Sequence, residues 1–284
     1  MNFWSQPIRT LYSLLAGKAP LLRQIRHWAS SSLQREVDID IYLPPDYFVN
    51  RAERYPLLIF NDGQDLHVME FAHILEQLYL ENAIPYMIVV GIYAGHERMR
   101  EYGVARQADY KGRGDLAGNY QHFIMQELLP LLHQRFRCKR DAAQTAFAGF
   151  SLGALSALDI AWANPEIFGR VGVFSGALWW RWSEVDPRDP DADRIMHEII
   201  QQTNVAPNRA QRFWFQCGTQ DETDDRNHNG VIDAIDDTLD LIKVLKIKGF
   251  PDDSIRYLEI EGGEHNPRTW GEAMPDFLTW IMVD

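Results

Sequence analysis

The sequence predicts an α/β fold, a mostly parallel sheet covered by helices on both faces. Three observations carry that reading. Short continuous apolar runs recur along the chain, among them LLIF at 57–60, MIVVGI at 87–92, VGVF at 171–174 and FWFQC at 213–217. Runs of this length and composition suit strands buried on both faces. Longer stretches with helical spacing alternate with them, the order expected when parallel strands are joined by helical crossovers. Finally, 46% of the residues are hydrophobic and 24% are charged, the balance of a chain that folds around a core.

The elements follow in order. Residues before Glu36 carry Arg9, Lys18, Arg23, Arg26 and Arg35 with no acidic residue, and read as an N-terminal helical extension over 1–36. The main domain then occupies 37–284. VDIDIYL at 37–43 alternates like a strand, and Pro44-Pro45 stops it. Met69 to Leu80 reads as a helix. So does 119–134, with Tyr120, Phe123, Ile124 and Leu128 on one face. Thr145 to Phe147 is a short strand run, and Ala154 to Trp162 a helix. Residues 178–210 hold Trp179, Trp180 and Trp182, then DPRDPDAD, then an amphipathic piece, and read as an insertion lying over a site. A helix near 237–248, the strand IRYLEI at 255–260 and a helix over 270–282 complete the chain. There are no internal repeats.

The formal net charge of -12 and pI near 5.2 oppose phosphate backbones, so nucleic acid is not an expected partner. Cys138 and Cys217 form no disulfide framework and are expected to be free thiols. No apolar run is long enough to span a membrane. The first residues lack the basic start and clean apolar stretch of a secretory peptide, so the expected location is cytoplasmic.

Between the 145–147 run and the helix lies Gly149-Phe150-Ser151-Leu152-Gly153, a G-x-S-x-G pattern. In that setting a serine sits on a tight strand-to-helix turn, and small residues are needed because the backbone passes close to itself. The turn pushes the hydroxyl outward, which makes Ser151 the candidate nucleophile. The helix that begins after it offers unbonded N–H groups, so the N–H of Leu152 is one candidate oxyanion donor. This is the strand–turn–helix signature of an α/β-hydrolase.

In that fold the acid and then the histidine follow the serine along the chain. His265, after IRYLEI and before the last helix, is in the right place to serve as general base, and Gly262-Gly263 loosen the loop before it. The acid should follow FWFQC. Asp221 comes soonest and is the first choice, with Glu222 and Asp225 as alternatives. Asn61-Asp62-Gly63-Gln64-Asp65 follows an early strand, where this fold places its second oxyanion donor, so the N–H of Gln64 is the candidate. Trp179, Trp180 and His67 are candidate pocket residues.

The acidic stretch holds a further signal. From Asp225 to Asp236, oxygen ligands stand at positions 1, 3, 5, 9 and 12: Asp225, Asn227, Asn229, Asp233 and Asp236. With Gly230 at position 6, this is close to a calcium-binding loop, although position 12 is Asp rather than Glu. An ordinary Asx-rich turn capping a helix is the competing reading. The expectation is that no cofactor is required, with a structural Ca²⁺ as the metal to consider.

LPPDY at 43–47, Asn61-Asp62-Gly63-Gln64, Glu127-Leu128-Leu129-Pro130, the Ser151 pentapeptide and Gly263-Glu264-His265 with Trp270 together resemble the putative esterase family. That family includes enterochelin-type siderophore esterases, S-formylglutathione hydrolases, feruloyl and acetylxylan esterases and mycolyltransferases. The resemblance covers roughly 37–282. It implies an α/β-hydrolase, with Ser151 and His265 in the family's catalytic positions. It also implies a serine esterase acting on a small ester through an acyl-enzyme, with sugar-linked and siderophore-linked esters among the family's substrates. The 225–236 loop is not a general feature of that family. The competing functions are an acyltransferase on the same scaffold and a non-catalytic carbohydrate-binding or structural protein.

Overall fold

A computed structural model describes residues 17–204 and 210–282. One eight-stranded sheet runs through it. The strands are β1 (Leu21–Ser30), β2 (Arg35–Leu43), β3 (Leu57–Asn61), β4 (Ile88–Ile92), β5 (Thr145–Phe150), β6 (Arg170–Phe174), β7 (Arg212–Gln220) and β8 (Ile255–Glu264). They lie in the order β1-β2-β4-β3-β5-β6-β7-β8. The β1–β2 and β2–β4 pairs are antiparallel and every other pair is parallel. The mostly parallel sheet read from the apolar runs is therefore present. Strands β3 to β6 are buried along their whole length, which is why they appear in sequence as runs and not as alternation.

Seven helices of more than one turn are described: α1 (Phe71–Leu80), α2 (Ala117–His122), α3 (Leu129–Arg135), α4 (Leu152–Ala163), α5 (Ile195–Gln202), α6 (Asp233–Ile247) and α7 (Pro267–Ile281). A π-helical stretch, Phe123–Leu128, joins α2 to α3, so the single helix expected over 119–134 is a composite. Two apolar cores result. Residues of α2 to α6 pack with one sheet face, and residues of α1 and α7 with the other. Helix α4 is buried on nearly every side, and even Asp159 is enclosed there, accepting the Ala105 N–H at 2.8 Å.

The expected helical extension over 1–36 is corrected in part. Residues 21–30 form β1, an edge strand paired with β2, while residues 1–16 lie outside the described residues. The outer half of β1 is exposed, so no apolar periodicity marks it. Its basic residues answer the acidic face of β2: Arg26 reaches buried Asp40 at 2.5 Å, and the His27 N–H donates to Asp38 at 2.8 Å.

The 178–210 segment is bolted down; its residues 205–209 fall outside the described set. Arg194 pairs with Asp237 (2.5 Å) and Asp240 (2.9 Å) on α6, and Arg226 bonds to Asp191 (3.0 Å) and Asp237. Both cysteines are buried free thiols. Among the described residues no helix is long and apolar enough to cross a membrane.

Candidate active site

The loops that follow β3, β5, β7 and β8 all leave the carboxyl end of parallel strands, so Gln64, Ser151, Asp221 and His265 share one edge of the sheet. Ligand sites of open α/β sheets form at that edge.

Ser151 stands between β5 and α4 with φ 55° and ψ -122°, a conformation that costs a non-glycine residue free energy. Its N–H donates to the Phe174 carbonyl (2.9 Å), and its carbonyl accepts from the Ala177 N–H (3.1 Å). The flanking glycines are steric requirements. A Cβ at Gly149 would stand 2.5 Å from the Gly153 carbonyl oxygen, and one at Gly153 would run into the Asp62 carboxylate. Leu152 opens α4, so its N–H belongs to the first turn, which has no intrahelical acceptor.

The loop after β3 reaches under this turn. Asn61 donates to the Gly153 carbonyl at 2.7 Å and accepts from the Tyr120 hydroxyl at 2.5 Å. Asp62, buried and at φ 57°, takes a two-pronged bond from Arg98 (2.7 and 2.8 Å). Gln64 anchors the same loop, its side-chain oxygen accepting the Ala94 N–H at 3.1 Å. Gly63 donates to the Ile92 carbonyl at 2.7 Å, and its Cα side is pressed against Gly91 of β4.

Asp221 follows β7 directly. Its Oδ2 accepts the Gly218 N–H at 3.0 Å, and its Oδ1, without a hydrogen-bond partner, faces His265 Nδ1 at 3.9 Å. That gap exceeds hydrogen-bond reach, and apo sites of this kind commonly tighten on binding. The other two candidate acids turn away from the histidine. Glu222 accepts the Ala234 N–H at 2.6 Å, and Asp225 accepts from the N–H groups of Asn229 and Gly230. Burial lowers the His265 pKa; the Asp221 charge opposes that shift and the Arg98 charge adds to it. Burial raises Asp221, against the bond from Gly218, the nearby Ser175 hydroxyl and the His265 charge.

The expected loop at 261–264 is strand: β8 runs to Glu264, with a register irregularity opposite Gly218–Gln220 and Gly262 at φ 70°. His265 therefore projects from a strand end. Trp270, edge-on to its ring at 5.4 Å, stacks on Phe150 at 4.9 Å and donates to Ser175 Oγ at 3.0 Å. Arg98 and Ser175 carry no sequence signal of their own, and Asp62 has one only as part of the stretch after β3. Only the fold brings them to the serine turn.

The expected pocket residues lie in different surroundings. Trp180 is fully buried, packed against Gly103 and Gly114, and no substrate can reach it. His67 sits in a one-turn helix, Asp65–Val68, with Nε2 2.5 Å from Asp40, and lines a different depression from Trp179. Trp179 does line a cavity of about 370 Å³, together with Arg113, Arg181, Glu222 and Arg226. Burial, with the charges of Asp233, Asp224 and Asp237, pushes Glu222 up to about 7 against the Ala234 N–H.

In the 225–236 loop the amides of Asn227 and Asn229 both reach Asp236 Oδ2, at 3.0 and 2.6 Å. Asp233 is drawn aside by Arg226, whose N–H it accepts at 2.9 Å. Among the described residues no three His, Cys, Asp or Glu side chains converge as a metal site, so any cation here depends on the asparagine oxygens.

The sheet, its order and the serine turn define the α/β-hydrolase fold. The chain belongs to the putative esterase family, whose pattern matches residues 30–281. It is 22% identical over 245 residues to the uncharacterised protein YbbA of Bacillus subtilis, covering 85% of this chain and 90% of that one. Among solved structures it resembles a ferulic acid esterase, with TM-score 0.69, 17% identity and coverage of 93% and 98%. It also resembles the enterobactin esterase of Shigella flexneri, solved with enterobactin, with TM-score 0.70 and 23% identity over 92% of this chain and 58% of that one.

Proposed function

We propose that the protein is a serine carboxylic-ester hydrolase working through Ser151, His265 and Asp221. The observation that carries this reading is the strained backbone at Ser151 (φ 55°, ψ -122°), held where a parallel strand turns into a helix. Such strain persists where it serves a function, here the presentation of a hydroxyl beside unbonded helix N–H groups.

In the mechanism, neutral His265 takes the Ser151 proton as Oγ attacks the ester carbonyl. The N–H groups of Leu152 and Gln64 hold the oxyanion. Imidazolium then protonates the leaving alcohol, and Asp221 stabilises that charge. Water, activated by the same histidine, breaks the acyl-enzyme and releases the acid. The substrate is a small ester. The named activities of similar structures, on ferulic acid and enterobactin esters, set the range to be tried.

The test is hydrolysis of p-nitrophenyl acetate by the wild type and Ser151→Ala, with fluorophosphonate labelling of both. Activity and label that vanish in the variant support the reading. A wild type that neither turns over nor labels overturns it. Label without turnover of any ester, but with acyl transfer to an added alcohol, marks a transferase instead.

The 225–236 loop is proposed as a structural Ca²⁺ site bracing the chain just beyond Asp221. Positions 3, 5 and 12 already meet at Asp236 Oδ2, and turning over either amide brings its carbonyl oxygen to the same place. Calcium is expected to raise the Tm in an EDTA-treated sample, and Asp225→Ala to remove that rise. An unchanged Tm at millimolar Ca²⁺ rejects the site.

A further inference from the structure

Arg181 is 5% exposed, yet no carboxylate pairs with it among the described residues. Its Nη1 donates to the Ala192 carbonyl, and its Nη2 has no partner. Its neighbours differ. Arg113 is bound to Asp109, Arg194 to Asp237 and Asp240, and Arg226 to Asp191, Asp233 and Asp237. Asp109, Asp191, Asp233, Asp237 and Asp240 are thus committed, while Glu222, turned to the Ala234 N–H, and Asp224 line the same cavity as Arg181 and form no ion pair with it among the described residues. A buried donor without an acceptor and a buried charge without a counter-charge both cost folding free energy. Such a residue persists when something outside the chain completes it.

Its position says what that is. Arg181 lines the cavity of about 370 Å³ that also holds Trp179, Arg113, Lys111 and Glu222. The cavity lies at the same edge of the sheet as the serine turn, its wall including residues of the segments that follow β6 and β7. Glu222 directly follows Asp221, and Trp179 stands two residues beyond Ala177, whose N–H holds the Ser151 carbonyl.

We propose that this cavity is a carboxylate-recognition subsite in which Arg181 binds a free carboxylate carried by the ester substrate. This deepens the esterase reading and rests on it. The planar guanidinium matches a carboxylate two-pronged. Lys111, Arg113, Arg181 and Arg226 outnumber Glu222, Asp224 and Asp233 in the lining by one, a small cationic excess that suits a monoanion better than a phosphate dianion. Burial, followed by the charge of Arg226, depresses the Arg181 pKa, against the opposing charges of Asp237 and Asp191. Nη2 is covered in the free protein, so a carboxylate reaches it only when the cavity wall shifts.

The test compares mono-p-nitrophenyl adipate and suberate with p-nitrophenyl hexanoate and octanoate. The wild type is expected to prefer the acidic esters by about 10- to 100-fold in kcat/KM, mostly through KM, the range of a charge-assisted hydrogen bond. That preference should shrink as salt is raised, and adipate itself should compete with p-nitrophenyl acetate. Arg181→Gln should bring the acidic-to-neutral ratio to about one, with Arg181→Lys intermediate. Equal rates on both ester types in the wild type, or a preference that survives in Arg181→Gln, overturn the subsite. If Arg181→Gln does not fold, the wild-type preference, its salt dependence and adipate inhibition decide alone. Hydrolysis of neutral esters without any preference sinks this inference and leaves the esterase intact; no Ser151-dependent hydrolysis of either type sinks the esterase reading itself.

Discussion

His265 lies half-exposed at the end of β8, with its ring edge against Trp270 and Asp221 behind it. Its pKa falls below the ordinary 6.5 through burial, helped by the Arg98 charge and opposed by Asp221. A lowered pKa keeps the imidazole neutral, and so competent as a base, to lower pH. The acid limb of kcat/KM should therefore have its midpoint below 6.5, with activity lost as pH falls through it. Removing the positive neighbour, as in Arg98→Met, should move that midpoint upward. A midpoint at or above 6.5 in the wild type would count against His265 as the base. Ser151 and His265 were legible as residues because the G-x-S-x-G context and the chain order of the fold constrain them. The acid was narrowed only to three, since spacing says nothing of direction. The turning of Glu222 and Asp225 into their own loop leaves Asp221 facing the histidine.

The serine turn is assembled from two segments distant in the chain. Gly153 is a glycine because the Asp62 carboxylate, clamped by Arg98, occupies the space a Cβ would need. Gly153→Ala must displace that pair or the helix start. It should cost about 1–3 kcal/mol of stability, the range for overpacking, and lower kcat more than it raises KM. Urea unfolding beside steady-state kinetics checks both, and a variant with wild-type kcat would show that Asp62 and Arg98 do not set the turn. At this scale the buried strands were legible, because burial on two faces writes them as apolar runs. Strand β1 was not, because an edge strand with an exposed half and basic side chains has no such pattern. The extension of β8 through Gly262 and Gly263 was also hidden, since glycine pairs read as loop until a neighbouring strand supplies the partner.

Across the whole molecule, the insertion that carries Arg181 is held to α6 by buried charges. Asp237 is fully buried and is shared by Arg194 and Arg226. Asp237→Ala would leave two arginines without it, and should cost about 3–5 kcal/mol, the range for breaking a buried ion pair. The exposed Arg188–Asp186 pair in the same segment should leave the midpoint of urea unfolding unchanged when Arg188 becomes alanine. Equal effects at the two sites would mean that the insertion is not anchored through α6.

The sequence by itself determined the fold class and the serine turn, and singled out His265 as the candidate base, because each rests on a local rule. Burial sets the period of apolar residues, tight turns demand small residues, and parallel connection fixes the order in which strand ends arrive. Tertiary structure alone decided what depends on which way side chains face across the chain. It sealed Trp180 in the core, paired His67 with Asp40, set Arg98 and Asp62 beneath the serine turn, and left Arg181 without an ion pair among the described residues. Charge pairing and burial are properties of three-dimensional neighbours, and the chain acquires them only when the sheet has closed.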